Sequence, residues 1–70
     1  MQASSRIYFV GYLDPERTAL AIFQLDLSAM HKRTNCRPAS SADFLDPDGA
    51  IEHARDLARK FRVRLALPHS

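Results

Sequence analysis

Seventy residues hold at most one domain, and a chain this short buries only about 60% of the surface its unfolded form exposes, so its stability is marginal. Hydrophobic residues at 46% and charged residues at 26% describe a globular chain rather than a disordered one. A net charge of +2 and a pI near 9.1 are too mild to demand an acidic partner, and with only two glycines, Gly11 and Gly49, the glycine-rich loops of nucleotide-binding enzymes are excluded.

Residues 1–5 are expected to be a loose leader. Arg6 to Leu13 is rich in aromatic and β-branched types and is expected to be a strand, with Ile7, Phe9 and Leu13 on one face and Tyr8, Val10 and Tyr12 on the other. Both faces are apolar, which suits a strand covered on each side. Gly11 marks a bulge or a close approach. The run before Asp14-Pro15 is too short and wrongly flanked for a signal peptide or a membrane span, so the expectation is a soluble, unprocessed protein without a membrane partner.

Residues 14 to 30 admit two readings. Asp14-Pro15-Glu16-Arg17 serves equally as a turn or as the cap and first turn of a helix. As a strand, Thr18 to Leu27 gathers Ala19, Ala21, Phe23, Leu25 and Leu27 on one face, with Leu20, Ile22, Gln24 and Asp26 opposite. As a helix, Leu20, Phe23, Leu27 and Met30 form the stripe, but Ile22 and Leu25 fall off it. The hairpin is preferred. An echo between Tyr12-Leu-Asp-Pro-Glu and Phe44-Leu-Asp-Pro-Asp is treated as shared turn punctuation rather than a repeat. Residues 28–44 are expected to be a loop excursion, exposed from Thr34 to Asp43 and suited to contacting a partner.

The clearest element follows. Asp46 caps a helix start, Pro47 occupies a position that needs no N–H, and Asp48 faces the positive end of the dipole. Ile51, Ala54, Ala58 and Phe61 recur at steps of three and four, with Ala50 and Leu57 widening the stripe, so a helix is predicted over 47–61. Arg62 to Leu67 then alternates, which predicts a strand over 63–67 and a short tail at 68–70. Ile51, Leu57, Phe61, Val63 and Leu65 are the predicted buried side chains, and Phe61→Ala is expected to cost about 3–5 kcal/mol.

The fold class expected for the single domain 1–70 is therefore α+β. Its order is ββαβ, with a three-stranded, mainly antiparallel sheet and one helix packed on one face. Strand order is left open.

Few residues carry chemistry. His31, His53, His69 and the lone Cys36 have no spacing that would gather them around a metal, so neither a metal nor another cofactor is expected. Cys36 has no base fixed beside it, and His53 falls on the polar helix face. Asp46 and Asp48 already serve the helix start. No enzyme is expected. A single cysteine with no possible intrachain partner fits a reducing cytoplasm.

Two binding functions remain. Three strands and one helix leave one sheet face open, and Tyr8, Val10 and Tyr12, or else their alternates along the strand, would form an apolar surface for a protein partner or for a second copy in a homodimer. In size and in lacking active-site chemistry such a chain compares with inhibitors and adaptors that bacterial phage and mobile elements direct at host complexes, anti-CRISPR proteins among them; no sequence motif carries that comparison. The alternative is a nucleic-acid-binding accessory protein. Arg55, Arg59 and Arg62 lie at steps of four and three on the polar helix face, with Arg64 continuing the stripe, although Glu52 and Asp56 pair locally with these cations in the ordinary manner of a solvated helix.

Overall fold

A computed structural model describes residues 5–66. Most of the expected leader, the tail at 68–70 and the end of the last strand at Leu67 lie outside the described residues. Strands β1 (Arg6–Tyr12) and β2 (Ala19–Asp26) form an antiparallel hairpin, a 3-10 helix spans Leu27–Cys36, helix α1 spans Pro47–Phe61, and β3 (Arg64–Leu65) completes the sheet. The class is α+β in the order ββαβ, as the sequence predicts, and the strand order is β1-β2-β3. β3 runs parallel to β2, with Ala19 opposite Arg64 and Leu20 opposite Leu65. A parallel neighbour requires a long crossover, which the 3-10 helix and α1 supply.

The hairpin resolves the ambiguity of residues 14–30 in favour of a turn followed by a strand over Ala19–Asp26, with Leu27 onward entering the 3-10 helix. Its register sets Phe9 against Phe23 and Ile7 against Leu25 on one face, and Tyr8, Val10 and Tyr12 against Gln24, Ile22 and Leu20 on the other. Helix α1 lies on the second face, where Val10 and Leu20 meet Ala54 and Leu57 in a buried cluster flanked by Tyr12, Ile22, Ala58, Val63 and Leu65. Its start is built as the residues dictate: the Asp46 carboxylate accepts from the Gly49 amide at 2.9 Å, and Pro47 opens the first turn. Small residues at Ala50 and Ala54, both fully buried, let the helix backbone approach the sheet.

The region expected to be a loop excursion, 28–44, is largely ordered by the sheet. The 3-10 helix kinks at Ala29, so its ten residues are two short pieces, the usual length limit for this geometry. It covers the face that three strands and one helix would leave open. Phe9, fully buried, stacks on Phe23 at 5.7 Å, and the Arg33 guanidinium carbon lies 4.8 Å from the Phe9 ring centre. Arg33 is held there by Asp43 at 2.8 Å and by the Ser40 carbonyl at 2.9 Å. The chain then returns along the outer edge of β1. Tyr8 and Phe44 exchange backbone bonds at 2.8 Å, Ala39 donates to the Val10 carbonyl, and Tyr12 donates to that of Arg37.

Phe61 departs from expectation, being 40% exposed, and Ile51 is only half-buried. The buried line runs through Ala50, Ala54 and Leu57: Leu57 is buried as predicted and Ala54 belongs to the predicted stripe, while Ala50 is one of the two residues that widen it. Val63 and Leu65 are half-buried rather than buried.

Gly11 is the close approach that its place in β1 suggests. A methyl group there would stand 2.6 Å from the Cys36 carbonyl oxygen and 2.9 Å from the Phe23 ring. Because one neighbour is backbone, Gly11→Ala is expected to destabilise by about 1–3 kcal/mol, measured as a lower denaturation midpoint at unchanged slope.

Candidate functional site

The predicted partner surface is not open. Val10 is fully buried under α1, and Tyr8 and Tyr12 are half-buried, because α1 packs on the face these three share. The exposed-face argument therefore fails on both sides of the sheet, one covered by α1 and the other by the 3-10 helix.

The predicted arginine stripe is exposed but interrupted. Arg55 and Arg59 lie on the outer surface of α1, and Arg59 pairs with Asp56 at 2.8 Å with both side chains about three-quarters exposed, a pair of little energetic weight. Arg62 has left the helix: it takes left-handed backbone, φ 58, and its amide and that of Val63 both bond the Ala58 carbonyl. This is the helix stop usually given to glycine. Arg64 sits in β3, its amide bonded to the Thr18 carbonyl.

Arg62 has two counterparts. Arg17, in the β1–β2 turn, and Arg37, after the 3-10 helix, are the other non-glycine residues with positive φ, at 62 and 51. Each such residue costs of order 1–2 kcal/mol relative to ordinary backbone, and Arg37 also precedes Pro38, whose ring pushes its predecessor toward extended backbone. Strain of this kind is a pointer to function. All three, with Arg64, lie at the turn end of the sheet. The Arg17 guanidinium stands 5.7 Å from the Tyr12 ring centre, within cation–π range. A cleft of about 460 Å³ there is lined by Tyr12, Pro15, Arg17, Thr34 and Arg37 among others. Among the described residues the ion pairs are Arg6–Asp26, Arg33–Asp43 and Arg59–Asp56, so the four arginines at this end have no carboxylate partner. Sequence reasoning places Arg37 in a basic cluster with His31, Lys32 and Arg33 and misses Arg17, which lies on no periodic element; the turn punctuation of Asp14-Pro15 is its one local signal.

The same turn holds a titrating group. The Thr18 hydroxyl bonds the Asp14 carboxylate, and this bond, aided by the backbone amides of Thr18 and Ala19 against a smaller desolvation effect, holds the Asp14 pKa below its ordinary 3.8. A folded-state pKa below the unfolded one contributes stability that is fully present above the unfolded value and fades as pH falls through the folded value. Thr18→Val is expected to move the Asp14 midpoint upward toward the ordinary value in an NMR titration.

His53, expected to be solvated, is instead half-buried, with its Nε2 2.9 Å from the Ser40 hydroxyl and its ring against Phe44 at 5.4 Å. The pair ties the 38–44 edge segment to α1. Cys36 is half-buried and its thiol faces the Lys32 carbonyl at 3.7 Å. Among the described residues no three His, Cys, Asp or Glu side chains gather as a metal-binding group, and no helix is long and apolar enough to cross a membrane. No family model, curated protein or solved structure matches the chain significantly.

Proposed function

We propose that this protein is a small non-enzymatic module that acts by binding another protein. The observation that carries the proposal is apolar surface left in water after both sheet faces have been covered: Leu45 is 83% exposed, Leu27 51%, Leu13 50% and Phe61 40%. A second copy is one admissible partner, since among the described residues β3 pairs with β2 only at Ala19 and Leu20, and an open strand edge accepts another strand. A phage-type inhibitor or adaptor of a host complex, working in the cytoplasm, is the finer form of the proposal; small size and a lone free cysteine are its supports. Leu45→Lys should leave stability within about 0.5 kcal/mol while weakening self-association in light scattering or retention of a partner. A wild-type protein that is a monomer at all concentrations and retains no partner would remove the proposal.

Nucleic-acid binding through Arg55, Arg59, Arg62 and Arg64 is the second reading, favoured by the exposure of all four. It requires affinity that falls with salt at a logarithmic slope near −0.9 per phosphate contact on B-DNA. Binding that survives physiological salt and is lost on reversing Arg59 and Arg62 would put this reading first.

A further inference from the structure

We infer that two copies of the chain join edge to edge through β2, antiparallel about a two-fold axis at Gln24, an inference that rests on the protein-binding reading above and names its partner. The hairpin fixes which backbone groups are spare. Leu13 donates to the Ala19 carbonyl and Leu27 to that of Ser5, and between these ends Gly11 pairs with Ala21, Phe9 with Phe23 and Ile7 with Leu25. Odd-numbered residues therefore bond across the hairpin, and alternation turns the N–H and C=O of Ile22, Gln24 and Asp26 outward. Among the described residues β3 meets that outer edge only at its start, where the Thr18 and Leu20 carbonyls accept from Arg64 and Ala66. Carried on in the same register, its next donor would be residue 68, which is proline and has no N–H.

The rest of the sheet is guarded and this stretch is not. The 38–44 segment lines the outer edge of β1 and β3 is only two residues long, whereas Ile22 to Leu25 carries no charge, proline or bulge of the kind that keeps an edge from pairing. The open window runs from Ile22 to Asp26, bounded by β3 on one side and by the 3-10 helix from Leu27 on the other. An antiparallel copy centred on Gln24 fills it end to end and carries its own β3 past Asp26, where β2 has ended. Ile22 then faces Asp26 of the second copy and Gln24 faces Gln24, so no like charges meet. The two Asp26 side chains stand roughly 14 Å apart, each paired with its own Arg6. On the opposite face half-buried Leu25 lies against half-buried Phe23 of the second copy, an apolar pair made twice. Gln24 is exposed, so the axis is clear of α1. Each of these matches is the strand meeting itself, which singles out a second copy as the occupant.

The test is sedimentation equilibrium over a concentration series with the wild type, Gln24→Lys, Gln24→Glu and an equimolar mixture of the two variants. The wild type is expected to pass from monomer to dimer. On the axis each substitution sets like charges opposite one another, at a Cα separation of about 5.5 Å, so self-association should weaken roughly fivefold in either variant alone. The mixture places opposite charges together and should dimerise roughly tenfold more tightly than either variant by itself. Gln24→Pro removes one outward N–H and none of the bonds to β1, so it should be monomeric with the fold intact; should it unfold, the charge pair carries the test. Hydrogen exchange at the Ile22 and Gln24 amides should slow as the dimer forms, while Phe23 and Leu25 are slow throughout. A wild type that stays monomeric, single variants that dimerise as tightly as the wild type, or a mixture no tighter than its parts overturns the inference. If self-association ignores position 24 but is lost in Leu45→Lys, or a monomer still retains a protein partner, the binding-module reading survives and this inference alone is lost.

Discussion

Phe9→Ala is expected to cost about 3–5 kcal/mol and to leave the domain largely unfolded. A 70-residue chain at 0.05–0.15 kcal/mol per residue has roughly 4–10 kcal/mol in all. Phe9 is fully buried, stacks on Phe23 and lies beneath the Arg33 guanidinium. Truncation therefore empties the space between the sheet and the 3-10 helix and strands a half-buried cation over the void. The informative control is Phe61→Ala. On the sequence stripe it is an equal core residue, but at 40% exposure its loss should cost less than half as much. Denaturant midpoints of the two variants decide the matter, and a larger loss at Phe61 would reject the layered arrangement.

Leu20→Ala is the corresponding expectation for the other face, at about 2–5 kcal/mol. Leu20 is fully buried between Val10 and the Leu57 side of α1, and its carbonyl accepts the Ala66 amide that holds β3. A cavity at this point loosens the helix and the last strand together. The expected result is a lower midpoint by circular dichroism with helix signal and total stability lost in one transition. A variant as stable as the wild type would mean that α1 is not anchored where Val10 and Leu20 meet it.

Local signals made α1 legible to its ends, because Asp46, Pro47 and the amphipathic spacing all act within a few residues of one another. The hairpin was legible for a similar reason, since alternation placed every large apolar residue of β1 in a usable position. The facing of α1 was not. Ile51 and Phe61 look like core by size, whereas the buried line follows Ala50 and Ala54, whose smallness permits close approach rather than advertising burial. The cover over Phe9 was also illegible: a kinked 3-10 helix has neither the 3.6 nor the 2.0 period, and it is positioned by Arg33 reaching Asp43 and Ser40, contacts ten and seven residues apart. Tyr8, Val10 and Tyr12 are free for a partner only if α1 is set on the Phe9 face; α1 packs on the face those three share, and strand alternation does not say which face the helix takes. The placing of Arg17 and Arg37 beside Arg62 and Arg64 was not legible, because left-handed backbone at Arg17 and Arg37 depends on how the turn closes against β1 and β2.

The two covers of the sheet have a consequence for how the molecule comes apart. Helix α1 and the 3-10 helix each contact β1 and β2, and no close contact joins them to each other. The hairpin is thus a wall shared by two layers, and an isolated two-stranded hairpin is marginal in water. Neither layer can keep its buried surface once the wall goes, and the wall does not persist with one side bare. Unfolding is then a single event in which damage on the Phe9 side releases α1 on the far side. A probe on either layer reports the same midpoint, and the two layers sense each other through the hairpin between them and through the 38–44 segment, where Ser40 meets both Arg33 and His53.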